Sequence, residues 1–135
     1  MSTTENRRVV QAFFEALANF DVAKIDGLLA QNATWRIAHS TPVSGTYDRA
    51  GFLKNIESFK PAAAAPFLFD FADWTAEGDR VALTAKGHLP LQNGKIYASD
   101  YHFMFRVRDG KIEQGQELFD SAHLCDCFDL TPAPA

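Results

Sequence analysis

Glu117 is the side chain of this sequence whose surroundings point most directly to chemistry. It lies in the segment KIEQGQELFD, residues 111–120, which is typical of a β-strand, and its alternate neighbours are Gly115 and Phe119. Because successive side chains of a strand point to opposite faces, these three residues share a face. A carboxyl group enclosed by aromatic side chains loses hydration, so its pKa should rise, and it could then act as a general acid or base near neutral pH.

Alternation alone does not decide whether Glu117 faces a pocket or water. The face of Glu117 also carries Glu113, and neither face of the strand is cleanly apolar. The opposite face holds Gln114, Gln116, Leu118 and Asp120. A solvated strand residue, or an ion pair at a subunit interface, therefore stays the alternative for Glu117.

His39 is the second candidate for acid/base chemistry. It alternates with Trp35 and Ile37 on a predicted first strand, residues 33–39. The alternative interpretation is a histidine at a strand end that hydrogen-bonds a neighbouring loop. The other three histidines are weaker candidates, since they lie opposite the apolar positions of their strands or near the C-terminus.

The sequence predicts neither a metal site nor a cofactor. Its two cysteines, Cys125 and Cys127, lie two positions apart, where a mutual disulfide would be strained. A Cys-x-Cys pair without a second pair or spaced histidines lacks the pattern of a zinc site. Reduced thiols are the simpler interpretation.

Composition narrows the class of partner. The chain has 135 residues, of which 47% are hydrophobic, and a formal net charge of −4 without a run of Lys or Arg. These features argue against nucleic acid and anionic membranes and favour a small neutral or weakly charged ligand. No segment approaches the roughly 18 apolar residues of a membrane span, and the N-terminus MSTTENRR is polar, so a cytoplasmic location is expected.

Three helices are predicted in the first half of the chain. Ser2 and Glu5 match a capping box, and Asp21 and Asp48 can cap the second and third helices. Pro61 should end the third helix. The apolar positions of these helices recur at helical spacing: Val9, Val10, Phe13, Phe14, Leu17, Phe20, Ile25, Leu28, Leu29, Phe52, Leu53, Ile56 and Phe59.

Strands dominate the second half. A strand is expected over 67–75, and Asn93-Gly94 and Asp109-Gly110 are strong hairpin signals. They predict an antiparallel meander over about 80–91, 95–108 and 111–123. The segment PAAAAP could be a linker, but a loop between elements fits its short length better. Helices first and antiparallel strands later predict a single α+β domain over residues 1–135.

The sequence resembles the nuclear-transport-factor-2-like superfamily, in its SnoaL-like and ketosteroid-isomerase-like branch. The segments that carry the resemblance, which spans about 7–124 and leaves 125–135 as a tail, are VVQAFFEALANFD, NATWRIAHSTPVSGTY and FRVRDGKIEQGQELFD. It implies a cone: a curved, mostly antiparallel sheet wrapped around the three helices, a cystatin-like roll with a hydrophobic pocket. It also implies a homodimer through the outer sheet face, which would carry His102, Met104, Gln114, Gln116 and Leu118.

The resemblance also implies the site. In SnoaL-like cyclases and in limonene epoxide hydrolase an acid at the place of Glu117 points into the cavity, and His39 would lie on the same cavity. Glu117 should then be within reach of His39, Trp35 or Tyr101. The aromatic residues could equally be plain core. The implied ligand-binding set is Phe13, Phe14, Trp35, Ile37, Tyr101, Phe103, Phe105, Gly115 and Phe119.

Departures from these relatives argue against two specific reactions, because the catalytic residue sets are incomplete here. The catalytic groups of ketosteroid isomerase correspond here to Phe13, Phe103 and Ile37, which are all apolar, so its mechanism is not available. The second acid of limonene epoxide hydrolase corresponds to Ala82, which leaves one of its two carboxylates.

Two hypotheses remain open. One is a SnoaL-like enzyme in which Glu117 moves a proton next to a carbonyl of a flat, apolar or aromatic substrate, with His39 or Tyr101 orienting the oxygen. The other is a non-catalytic ligand-binding or dimerisation module of the same fold. The sequence does not identify the ligand in either case.

Overall fold

The computed structural model describes residues 2–131, which form an α+β fold with four α-helices and six strands. The helices are α1 (Thr3–Ala18), α2 (Val22–Leu28), α3 (Arg49–Phe59) and α4 (Ser121–Cys127), and a 3₁₀ turn covers Lys60–Ala62. The strands are β1 (Leu29–Ile37), β2 (Gly45–Asp48), β3 (Leu68–Glu77), β4 (Arg80–Pro90), β5 (Ile96–Arg108) and β6 (Lys111–Leu118).

The predicted helix starts are confirmed by their caps. Ser2 Oγ accepts a hydrogen bond from the Glu5 N–H at 3.1 Å, and Glu5 Oε2 accepts one from the Ser2 N–H at 3.2 Å, which completes the capping box. Asp21 caps α2, and Asp48 caps α3. Such side-chain acceptors satisfy backbone N–H groups that have no partner inside the helix.

The sheet is curved and unclosed, with the strand order β2-β1-β6-β5-β4-β3. β4, β5 and β6 form the predicted antiparallel meander. β1 pairs with β6 in parallel, which makes the sheet mixed. Through this pairing, residues from the first third of the chain lie beside residues from its last third.

Three predictions about element ends are wrong. β1 covers Leu29–Ile37 instead of 33–39, so Leu29, which was expected in the second helix, begins a strand. The last strand ends at Leu118 instead of about His123, because Asp120 caps α4 by accepting from the His123 N–H. Cys125 and Cys127 therefore belong to a helix instead of a tail, and both are free and buried. The turn predicted before α3 also contains a short strand, β2, which pairs with β1.

The core lies between α1 and the concave face of the sheet. Phe13 and Phe14 of α1 are buried against β5, with ring centroids 5.6 Å from Phe105 and 4.9 Å from Phe103, respectively. Side chains of β4 and β5 alternate between buried and more exposed positions, as expected for strands with one covered face. None of the helices within residues 2–131 is long and apolar enough to span a membrane.

Gly115 of β6 lies directly under the indole ring of its β1 partner, Trp35. A Cβ atom added to Gly115 would lie 2.0 Å from Trp35 Cζ3 and 2.1 Å from Cε3. Since Trp35 is only 2% exposed, the ring has little freedom to move aside. Glycine is therefore required here for close packing.

We predict that Gly115→Ala lowers the free energy of unfolding by about 3 kcal/mol or more, because the added methyl overpacks a rigid contact. Gly27→Ala in α2 is the matched control, since a Cβ there meets no atom within 4 Å. The control should change stability by at most about 1 kcal/mol, in the stabilising direction. Urea unfolding of the two variants measures both values, and equal midpoints would contradict the prediction.

Candidate active-site cavity

A partly open cavity lies between the helices and the concave face of the sheet. Its empty volume, including the part open to solvent, is about 670 Å³. The volume within which the centre of a water molecule can move is about 80 Å³. That is room for several water molecules or a ligand of about one ring. Its lining residues are Phe13, Leu17, Phe20, Trp35, Ile37, Val43, Phe52, Asn55, Ile56, Phe59, Phe67, Phe69, Leu89, Tyr97, Tyr101, Phe103, Glu117, Phe119, Leu124 and Phe128.

Among the described residues that line the cavity, Glu117 is the one that carries a carboxyl group. The Trp35 indole N–H donates a hydrogen bond to Glu117 Oε2 at 3.0 Å. The two residues come together because Trp35 pairs with Gly115, two positions before Glu117 on β6. Glu117 is half-buried, since it borders the cavity.

Burial raises the pKa of Glu117 from its ordinary 4.5 to about 7, and the hydrogen bond from Trp35 opposes this rise only in part. No Lys, Arg or His is among the described residues that line the cavity, so no cation on the wall stabilises the charged form. The acid can therefore exist in both protonation states near neutral pH.

Aromatic stacking holds the hydrogen-bond donor in place. The Trp35 ring stacks on Phe52 of α3 at 4.3 Å between centroids, with an interplanar angle of 10°. Phe13 of α1 stacks against it at 5.2 Å. With Gly115 beneath it, the indole is fixed by two helices and a strand, so its N–H has a defined direction.

A second polar group on the wall is a pair of phenols. Tyr97 and Tyr101 of β5 are buried, and their hydroxyl oxygens lie 2.7 Å apart. Burial raises the pKa of both phenols, and the negative charge of Glu117 raises both further. Both tyrosines therefore stay neutral across the physiological range.

The structure places most of the sequence-predicted site residues on one wall. Glu117 accepts a hydrogen bond from Trp35, one of the three residues expected within its reach. Tyr101, another of the three, forms its hydrogen bond with Tyr97 instead. The predicted residues that line the cavity are Phe13, Trp35, Ile37, Tyr101, Phe103, Glu117 and Phe119.

Three predicted ligand-binding residues lie elsewhere. Phe14 packs at 4.9 Å from Phe71 and borders a surface groove between α1 and β3. Phe105 is completely buried beneath Phe13 and Trp35. The space expected beside Gly115 is filled by the indole ring.

His39 lies beyond the end of β1, outside the residues that line the cavity. Its backbone has a φ of 74°, so the alternation with Trp35 and Ile37 does not continue to it. The side chain is exposed, and its Nε2 accepts a hydrogen bond from the Phe119 N–H at 3.3 Å. This is the loop-bonding geometry that formed the alternative interpretation of His39.

Several wall residues were missed by the sequence analysis. Tyr97 shares the face of Tyr101 at strand spacing, and Asn55 lies one helical turn from Phe52, so their periodicity was a usable signal. Asn55 is half-buried and adds an amide to the wall. Phe128 follows α4, in the segment interpreted as a tail, and only the tertiary structure brings it to the cavity.

We predict that the free energy of unfolding of the wild type falls, relative to that of Glu117→Gln, as pH rises from 4.5 to above 7. In this interval the unfolded chain releases the Glu117 proton while the folded chain keeps it, so ionisation favours unfolding. The total loss should be about 3 kcal/mol. Urea unfolding at several pH values measures it, and because the other titrating groups are common to both proteins, parallel stability curves would contradict the assignment.

Known structures with this architecture have diverse activities. An NTF2-like protein from Burkholderia xenovorans is 22% identical, with a TM-score of 0.75 over 94% of this chain and 98% of its own. An LEH-like epoxide hydrolase from M. tuberculosis is 20% identical, with a TM-score of 0.73 over 93% of this chain and 90% of its own. IdmH from Streptomyces antibioticus, described as a candidate polyketide cyclase, is 19% identical, with a TM-score of 0.73 over 92% and 98%.

The TM-scores of 0.73–0.75 show that these proteins share the fold of this chain. The identities of 19–22% leave its activity open. No curated protein sequence matches the chain. The sequence profile of the SnoaL-like domain matches residues 10–114, which covers most of the chain and confirms the resemblance noted from its motifs. The chain belongs to the SnoaL-like domain family and has the NTF2-like fold.

Proposed function

We propose that this protein binds a small, flat, apolar or aromatic molecule in the cavity and that Glu117 transfers a proton at the carbon next to a carbonyl group of that molecule. The observation that carries the proposal is the Glu117 carboxyl, held by the Trp35 indole N–H at 3.0 Å inside an aromatic cavity. A carboxyl whose pKa is about 7 is matched to proton transfer at neutral pH.

The hydrogen bond from Trp35 gives the two carboxyl oxygens of Glu117 different roles. Oε2 accepts from Trp35, which leaves Oε1 to take a proton from the ligand. The ionised acid would accept the proton as the ligand's carbonyl becomes an enolate, and the same acid would return it to the ligand. Because Trp35 is fixed by stacking, the carboxyl is oriented before the ligand arrives.

The rest of the wall supports an uncharged, flat ligand. Stacked and tilted rings offer apolar surfaces, and no cation is among the described lining residues to compensate a negative charge. In this proposal His39 is a positioning residue. Its Nε2 accepts a hydrogen bond from the backbone N–H of Phe119, which is two residues after Glu117, and so holds that part of the backbone in place. The proton transfer belongs to Glu117.

A non-catalytic ligand-binding module is the second candidate. It is favoured by the single carboxyl among the described lining residues, since Glu117 has no second acid beside it there. The fold neighbours named as an epoxide hydrolase and as a candidate polyketide cyclase favour the first candidate instead, because both names describe enzymes.

We predict that the wild type accelerates exchange of the methyl hydrogens of acetophenone in D₂O and that Glu117→Gln slows the catalysed exchange by about 100-fold or more. Acetophenone carries a carbonyl on a single ring, so it fits the cavity and exposes hydrogens next to the carbonyl. The amide keeps the shape and the hydrogen bond from Trp35 but cannot take the proton. Proton NMR of the methyl signal measures the exchange.

Two results separate the candidate functions. Binding of acetophenone without accelerated exchange in the wild type would support the binding module and contradict proton transfer. Equal acceleration by wild type and Glu117→Gln would exclude Glu117 as the acting group. Thermal unfolding of both proteins at pH 7 serves as the control for folding.

We also propose that two copies of the chain associate through the outer face of the sheet. The residues named for this face are half-buried or exposed in the single chain, and Leu118 is an apolar side chain with 38% exposure. These apolar and amide side chains adjoin Arg36, which donates to Gln116 Oε1 at 2.9 Å, and Arg is among the residues enriched at interfaces.

Light scattering should give about twice the 15.0 kDa mass of one chain for the wild type. Leu118→Glu should shift the protein to the monomer, because it places a charge in an apolar contact. Ala50→Glu, on an exposed position of α3, is the matched control and should leave the dimer intact. A monomeric wild type at micromolar concentration would contradict the proposal.

A further inference from the structure

The two paired phenols of β5 have one more O–H donor than their mutual hydrogen bond uses. Tyr97 and Tyr101 are four residues apart on one strand, so they share a face, and both line the cavity. Tyr97 is 1% and Tyr101 is 8% exposed. Their oxygens lie 2.7 Å apart, and either can be the donor.

The pair holds two O–H groups, but its internal hydrogen bond uses only one. Within residues 2–131 neither phenol makes another hydrogen bond of normal geometry. Ser99 is close enough to lower the pKa of Tyr97, but no hydrogen bond of normal geometry joins the two side chains. The Ser99 hydroxyl donates to the Asp100 carbonyl and accepts from the Asp120 N–H, both at 3.1 Å. The second O–H of the pair therefore has no acceptor among the described residues, and both tyrosines line a cavity in which a ligand can supply one.

The charge near the two tyrosine hydroxyls determines whether they favour a charged or an uncharged ligand oxygen. The Glu117 charge acts on both phenols, and no Lys, Arg or His is among the described lining residues. An anionic ligand oxygen would meet this negative field without a compensating cation. An uncharged oxygen, such as a ketone or a hydroxyl, incurs no such penalty.

The strand register brings the pair close to the acid. Phe103 of β5 lies opposite Glu117 of β6, and His102 lies opposite Leu118. Tyr101 and Glu117 are thus diagonal neighbours on the concave face, with Cα atoms about 7–8 Å apart for such positions. One ligand of single-ring size can contact both groups.

We infer that the Tyr97–Tyr101 hydroxyl pair is a binding subsite for an uncharged oxygen, a carbonyl or hydroxyl, of an aromatic ligand whose reactive carbon faces Glu117. The inference rests on the proposed function for the choice of cavity and deepens it by naming the ligand's polar group. One tyrosine contacts the ligand oxygen, and the other orients that hydroxyl.

The test compares acetophenone with α-methylstyrene, in which a CH₂ group replaces the carbonyl oxygen at nearly the same shape. The Trp35 indole N–H signal in NMR reports binding of either probe, and Trp74→Phe assigns it, because the chain has two tryptophans. The ratio of the two dissociation constants then measures recognition of the oxygen alone.

The wild type should prefer the ketone, and Tyr101→Phe and Tyr97→Phe should each reduce that preference by about fivefold, the value of one neutral hydrogen bond. Tyr47→Phe is the matched control. Tyr47 donates to the Val43 carbonyl at 2.6 Å and does not line the cavity, so its loss should leave the ratio unchanged.

An unchanged ratio in both Tyr97→Phe and Tyr101→Phe would overturn the inference, as would a wild type that binds neither probe at its solubility limit. A ratio that falls as much in Tyr47→Phe would show a general packing effect and would also overturn it. Hydrogen exchange in acetophenone is measured independently, so a protein that recognises the ketone without exchanging its protons supports the subsite and contradicts only the proton-transfer proposal.

Discussion

The candidate site depends on the contact between Trp35 and Gly115. The parallel pairing of β1 with β6 sets these residues side by side, and the missing side chain of Gly115 lets the indole lie flat over β6. From that position the indole N–H reaches Glu117, although the two residues are 82 positions apart in the chain. A side chain at residue 115 would displace the ring, and the acid would then lose the donor that the cavity provides.

The aromatic residues serve both stability and the site. The rings of Phe13, Phe52 and Trp35 form one stack, so the interactions that bury α1 and α3 also orient the group that binds the acid. Such a cavity is lined by core residues from several elements, and it tolerates little change in volume without affecting both properties.

The electrostatics of the cavity follow from what its wall contains. One half-buried carboxyl faces two neutral phenols, and the described lining residues include no cation. The acid therefore keeps its proton to higher pH than an exposed glutamate, at a cost in stability once it ionises. The phenols of Tyr97 and Tyr101 add neutral polar groups to the same concave face.

The sequence by itself determined most of the elements and identified Glu117 as the candidate acid, but it gave no signal for β2 or α4. One capping box, two capping aspartates, hairpin dipeptides and hydrophobic periods are local signals, so the starts of α1, α2 and α3 and the β4–β5–β6 meander could be predicted from them. The inward direction of Glu117 needed the family resemblance, because neither face of β6 is apolar. Only the tertiary structure decided that Trp35 fills the space over Gly115, that His39 turns out of the cavity with a left-handed backbone, and that Tyr97 pairs with Tyr101. These outcomes depend on distant strand register and on side-chain packing, which no local pattern encodes.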